Sequence, residues 1–239
     1  MGAEDLIVGI SGYTVRPKRA RKEKPRVSAF SSAKIDKIIE LKPDLVLGFS
    51  DIQSDICSDL IKNGINVLCF NQRSVEEILN VINLLGRIIN QADKAQSFVK
   101  KIKIKLDQIS GSSNKLQVKP KVYFEEWDDP TFSGIRWVSE LIEIAGGEDI
   151  FANKSHGKLA MEREIQWSDV IEKNPDVILA SWCGKPVDID SIKKREGWNE
   201  ITAIKNDRIH EIDSSIILQP GPACLTDGLK VLEQLITSK

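Results

Sequence analysis

No stretch of this chain stays apolar for the ~20 residues that a helix needs to cross a bilayer. Its first residues, MGAEDLIVGISGY, lack the basic start and apolar run of a secretory signal. Taken as it stands, the chain is therefore expected in the cytoplasm, or in the periplasm or at the cell surface if its N-terminus has been trimmed. Histidine is scarce: His156 and His210 are too few for a histidine-based metal centre. The four cysteines, Cys57, Cys69, Cys183 and Cys224, form no CxxC pair, which argues against a zinc site or a redox dithiol motif. Their scatter suits buried free thiols better than a disulfide framework. Net charge is only -1, so no global field recruits nucleic acid or an anionic membrane. There is no phosphate-cradling glycine loop and no nucleophile-elbow motif.

What the chain does have is room and periodicity. Its 239 residues, 41% hydrophobic and 29% charged, suffice for one large domain or two small ones. Helical and strand patterns alternate, which predicts an α/β fold with parallel strands. Residues 38–49, IIELKPDLVLGF, and 170–181, VIEKNPDVILAS, follow one plan. Each has an apolar pair, Glu, two spacers, Pro-Asp and an apolar run. The reading is a helix ended before Pro43 or Pro175, then a buried strand with Asp44 or Asp176 at its start. Two such copies indicate a repeated lobe. GAEDLIVG at 2–9 also echoes GGEDIFAN at 146–153. The second copy is preceded by a strand, KVYFEE, and a helical pattern; the first has neither. The first lobe is thus expected to lack the opening strand and helix of its partner.

Between the halves, Ser74 and Glu77 form a capping box ahead of an amphipathic helix carrying Ile78, Val81, Ile82, Leu85 and Ile89. A second helix places Ala95, Phe98, Ile102, Leu106 and Ile109 on one face and ends at GSSN, 111–114. The expected organisation is an N-terminal lobe at 1–90, a linking helix at 91–112 and a C-terminal lobe at 113–239. These are two Rossmann-like lobes joined by one long helix, with a ligand cleft between them. Thr226 is expected to start the closing helix.

In open parallel sheets, ligands bind beyond the carboxyl ends of the strands. The segments there carry Tyr13 and Arg16, Ser50 and Asp51, Gln72 and Arg73, Trp127, Trp182 and Cys183, and Gln219 of the LQPGPA loop. These ten are the candidate ligand contacts. Trp127 and Trp182 at strand ends could stack on a flat apolar ligand, or they could be core. Trp137, Trp167 and Trp198 read as structural. The basic run from Arg16 to Arg26 could clamp carboxylates or phosphates, or form a solvated surface. It lacks the aromatic platform of a nucleic-acid site. Glu125, Glu126, Asp128 and Asp129 cluster, but neighbours on a strand point to opposite faces, which makes a poor catalytic pair.

The repeated helix–Pro-Asp–strand plan, the linking helix and the strings EEW, SGIRWVSELIEIAGG, PDVILASWCGK, REGW and ILQPGPACLTDGL together resemble the cobalamin-binding and iron-siderophore branch of the periplasmic-binding-protein superfamily. The resemblance implies two lobes that move little on binding. It also implies a corrinoid, such as cobalamin, or another metal chelate as ligand, with an ABC permease as partner. No cofactor is required and no membrane insertion is expected. By the same resemblance, Trp127 and Trp182 would lie against the ligand, and Tyr13 and Arg16 would face it. Two rival functions are an enzyme handling a corrinoid in the cytoplasm, with Cys183 beside Lys185 as nucleophile, and a regulatory protein that kept the fold without the ligand.

Overall fold

The computed structural model describes residues 1–113 and 117–238. The chain forms two compact units. Unit 1 is Met1–Gln72 with Leu85–Ala92, and unit 2 is Arg73–Leu84 with Asp93–Lys239.

Unit 1 runs β1 (Ile10–Ser11), α1 (Ala20–Glu23), β2 (Arg26–Ser28), α2 (Ile35–Glu40), β3 (Val46–Phe49), α3 (Ser54–Lys62) and β4 (Val67–Phe70). β1 pairs with β2, and β3 with β4, both parallel; the second pair holds register from Val46↔Val67 to Phe49↔Phe70. Its core is thin. Ile38 on α2 and Leu60 on α3 are buried, while Leu47 of β3 is 50% exposed. The first strand of the unit is only Ile10–Ser11, and Glu4–Leu6 closes as a 3-10 turn.

α4 (Val75–Ile88) starts as its sequence dictates. Glu77 N–H donates to Ser74 Oγ at 3.2 Å, and the Glu77 carboxylate accepts from Ser74 N–H at 3.0 Å and Arg73 N–H at 2.6 Å. A left-handed Asn90 (φ 55°) then separates α4 from α5 (Ala92–Ser113). α5 buries Ala95, Val99, Ile102, Leu106 and Ile109, so Val99 takes the place expected of Phe98, which is only half-buried. The break expected at GSSN does not occur over its first three residues. Ser112 and Ser113 donate to carbonyls one turn back and so continue the helix. Asn114 lies outside the described residues.

Unit 2 contains β5 (Lys121–Asp128), β6 (Thr131–Ser133), α6 (Arg136–Ile144), β7 (Glu148–Asp149), α7 (Trp167–Lys173), β8 (Val177–Ala180), α8 (Ile189–Lys193), α9 (Thr202–Lys205), β9 (Ile209–Glu211), α10 (Ser214–Ile217) and α11 (Leu229–Thr237). Its sheet has the order β6-β5-β8-β9, with β7 also on β5. β5, β7, β8 and β9 are parallel and β6 is antiparallel. Both central strands are buried on both faces, as an unbroken apolar run requires: Val122, Tyr123 and Phe124 on β5, and Val177 to Ala180 on β8, are fully enclosed. One face packs Tyr123, Ile178 and Ala180 against Phe151, Ile192 and Trp198.

The two Pro-Asp segments fold alike. Lys42 (φ 47°) and Asn174 (φ 46°) are both left-handed, each directly before its proline. Each following strand, β3 or β8, pairs in parallel with the next, β4 or β9. The weaker echo diverges. Gly2 and Gly146 share positive φ, but Glu148–Asp149 pairs with β5 as a strand, whereas Glu4–Leu6 pairs with no strand among the described residues.

Thr226 does not cap the closing helix. The chain already turns as a π-helix over Cys224–Gly228, and Thr226 Oγ1 donates back to Pro222 O at 2.9 Å. Gly228 is forced by proximity, since a Cβ there would sit 2.3 Å from Ile216 O. Among the described residues no helix is long and apolar enough to cross a membrane.

Candidate ligand-binding site

The carboxyl ends of β5, β8 and β9 bring the chemistry of unit 2 together. Alternation along β5 sends Glu125 to one face and Glu126 to the other. Glu125 is wholly buried and receives a two-point fork from Arg195, at 2.5 and 3.0 Å. Tyr123 Oη and Trp182 Nε1 also donate to it, at 2.9 and 3.2 Å. Burial, and next the Glu125 charge, hold the Tyr123 phenol well above its ordinary range, so it stays a donor. Glu126 takes an equivalent fork from Arg163, at 2.6 and 2.9 Å. The two glutamates are therefore structural anchors. The Arg195 guanidinium also lies between Trp167 and Trp198, 4.7 and 4.6 Å from their ring centres.

The anchored Glu125 sets the Trp182 ring, and one more residue joins it to Trp127. Lys185 Nζ lies 4.4 Å from the Trp127 ring centre and 4.7 Å from that of Trp182. Asp128 holds the same ammonium at 2.7 and 2.9 Å. Beside this cluster opens a cavity of about 510 Å³ lined by Trp182, Gly184, Lys185, Pro186, Glu211, Asp213 and Ser214. Glu211 accepts Val187 N–H at 3.0 Å, and Asp213 caps α10 through Ser215 N–H at 2.8 Å. Two carboxylates thus face the cavity with further lone pairs to offer.

The ten sequence candidates fare differently. Trp182 is only 4% exposed and packs in the core, yet it also lines the cavity. Trp127 is half-buried, with Nε1 donating to Asp129 O at 3.0 Å. Cys183 is exposed, and partial desolvation of its thiol, followed by the Glu126 charge, raises its pKa. Gln219 is exposed on the turn after α10 and is not among the cavity-lining residues. In unit 1, Ser50 is buried at φ 65° at the end of β3, where its N–H donates to Phe70 O. Asp51 follows it on an exposed turn, and buried Gln72 follows β4. Tyr13 (47% exposed) and Arg16 follow β1. Arg73 is half-buried at the start of α4. In the basic run, Arg19 pairs with Glu4 at 2.8 Å and Arg21 donates to Gly12 O at 3.0 Å.

Sequence reasoning passed over Lys185, Arg195, Glu211 and Asp213 as site-forming residues. Glu211 ends the last strand and Asp213 stands two residues beyond it, a strand-end position that is the signal for both.

At the carboxyl ends of the parallel strands, Trp127 and Trp182 stand on one lysine beside a polar cavity, an arrangement suited to a solute-binding α/β protein. The chain belongs to the periplasmic binding protein family, whose profile matches residues 1–216. It is 28% identical, over 99% of its own length and 74% of the relative's, to the uncharacterized ABC transporter substrate-binding lipoprotein YvrC of Bacillus subtilis. It is 25% identical to the vitamin B12-binding protein of Vibrio parahaemolyticus, over 100% of this chain and 84% of that protein. Among solved structures, a possible iron-binding, periplasmic solute-binding protein from Staphylococcus epidermidis superposes with a TM-score of 0.80 at 25% identity, covering 97% of this chain and 90% of the other.

Proposed function

We propose that this solute-binding protein captures a corrinoid, or a closely related metal chelate, and passes it to an ABC permease on the membrane that the solute must cross. The observation that carries this reading is the Trp127–Lys185–Trp182 cluster beside the acidic cavity at the ends of β5, β8 and β9. Indoles offer a flat apolar surface. Glu211 and Asp213 offer acceptors, which suit the many amide N–H groups on a corrinoid rim. The same two carboxylates, set against one lysine, repel the carboxylates of a haem. The cavity therefore favours the corrinoid over the haem. The matched transport relatives support the delivery role.

The proposed contact residues are Tyr13, Arg16, Ser50, Asp51, Gln72, Arg73, Trp127, Trp182, Cys183 and Gln219, joined now by Glu211 and Asp213. The test is calorimetric titration with cyanocobalamin, haem and a ferric siderophore. The expected result is one saturable site for cyanocobalamin. Glu211→Gln and Asp213→Asn are each expected to weaken it on the order of tenfold, about 1.4 kcal/mol. Absence of heat and of tryptophan quenching with all three compounds would remove the reading. Tighter binding of haem than of cyanocobalamin would remove its corrinoid part.

A further inference from the structure

Cysteine spacing along the chain suggests four unrelated thiols, but the fold pairs two of them. Gly48 on β3 stands directly opposite Cys69 on β4. Cys57 comes from α3, which covers these strands. A Cβ placed on Gly48 would lie 3.0 Å from Cys57 Sγ and 3.3 Å from Cys69 Sγ. The missing side chain is thus the space that both sulfurs border. Cys69 is exposed and Cys57 is half-buried, so a small reagent can reach the pair. Cys69 Sγ also donates to the carbonyl of Ser50, at 3.6 Å, in the left-handed turn that ends β3.

We propose that Cys57 and Cys69 form a redox-active dithiol that closes to an intramolecular disulfide between α3 and β4. The oxidant is a low-molecular-weight disulfide. The Cys69 thiolate attacks one of its sulfurs, forms a mixed disulfide and releases one small thiolate. The Cys57 thiolate then attacks Cys69 Sγ and releases the second. The protein loses two protons and two electrons, and the reagent becomes two thiols. Closure withdraws the Cys69 donor from Ser50 O, so the oxidation state is felt at the Ser50 turn. Desolvation, and next the neighbouring Cys57, push the Cys69 thiol up to about 11. Below that value its thiolate fraction rises tenfold per pH unit, and the rate of closure should follow.

The experiment is incubation of the folded full chain with oxidised glutathione, followed by alkylation and peptide mass spectrometry without reduction. The four thiols of the chain are expected to fall to two. A peptide joining positions 57 and 69 should appear, two hydrogens lighter than its reduced parts. Closure should be about 100-fold faster at pH 9 than at pH 7. Cys57→Ser should stop at a glutathione adduct on Cys69, and Gly48→Ala, whose methyl fills the shared space, should slow closure. Persistent adducts on Cys69 without the cross-link, links to Cys183 or Cys224 instead, or loss of two thiols in Cys57→Ser would each overturn the proposal.

Discussion

Glu125→Gln should cost unit 2 about 3–5 kcal/mol, because it leaves the Arg195 charge buried without a counter-ion. The Glu125 and Arg195 side chains are 0% and 5% exposed, so water cannot take over the lost role. The amide keeps the carboxylate's shape but offers only one acceptor oxygen to four donors: two from Arg195, one from Tyr123 and one from Trp182. For a chain of this size, 1 kcal/mol moves the melting point by roughly 2–4 °C, so the shift should be roughly 6–20 °C. All five tryptophans lie in unit 2, which makes urea unfolding followed by tryptophan emission a reporter of that unit. The second arm is the double variant Glu125→Leu with Arg195→Met. Removing both charges together should recover part of the loss, since an apolar pair avoids the desolvation of two ions while the Tyr123 and Trp182 donors stay unpaired. A loss under about 1 kcal/mol for Glu125→Gln, the scale of an exposed pair, would refute the reasoning. So would a double variant as unstable as Arg195→Met alone.

Other outcomes follow from single contacts. Glu77→Ala should destabilise the start of α4 by about 1 kcal/mol, measured by denaturant midpoint. The Glu77 carboxyl is held below its usual range chiefly by Arg73 N–H, so its contribution is full above the ordinary glutamate pKa. It fades as pH falls through the lowered folded value, and the variant should show a flatter loss of stability as pH drops below the ordinary glutamate range. Gly228→Ala drives a methyl into Ile216 O and should cost about 1–3 kcal/mol or prevent folding, read by melting temperature. Trp198→Ala empties a fully enclosed site and should cost about 3–5 kcal/mol in the same assay.

The parts legible in the sequence were those written in local chemistry. Pro43 and Pro175 stop helices wherever they stand, Ser74 and Glu77 are three residues apart, and the Val-Ile-Leu-Ala run can only be a doubly buried strand or helix. The alternation rule alone separated Glu125 from Glu126. The site was harder because its partners meet over long separations. Arg195 reaches Glu125 across 70 positions, and nothing near either one announces the other. Lys185 was visible only as a neighbour of Cys183, although it touches two indoles and a carboxylate. The scatter of the cysteines suits buried thiols, yet Cys69 and Cys183 are exposed and only Cys224 is deeply enclosed, its thiol pushed up to about 12 by burial. Spacing along a chain does not show which sulfurs a parallel pair of strands will bring beside one glycine.

The matched left-handed residues before Pro43 and Pro175 carry a practical consequence. Asparagine tolerates that backbone region through its short polar side chain, whereas lysine is strained there by about 1–2 kcal/mol. One half of the molecule has already found the better residue for a corner that the other half shares. Lys42→Asn copies that solution across, so the repeated corner becomes a ready-made guide for strengthening the thinner-cored unit.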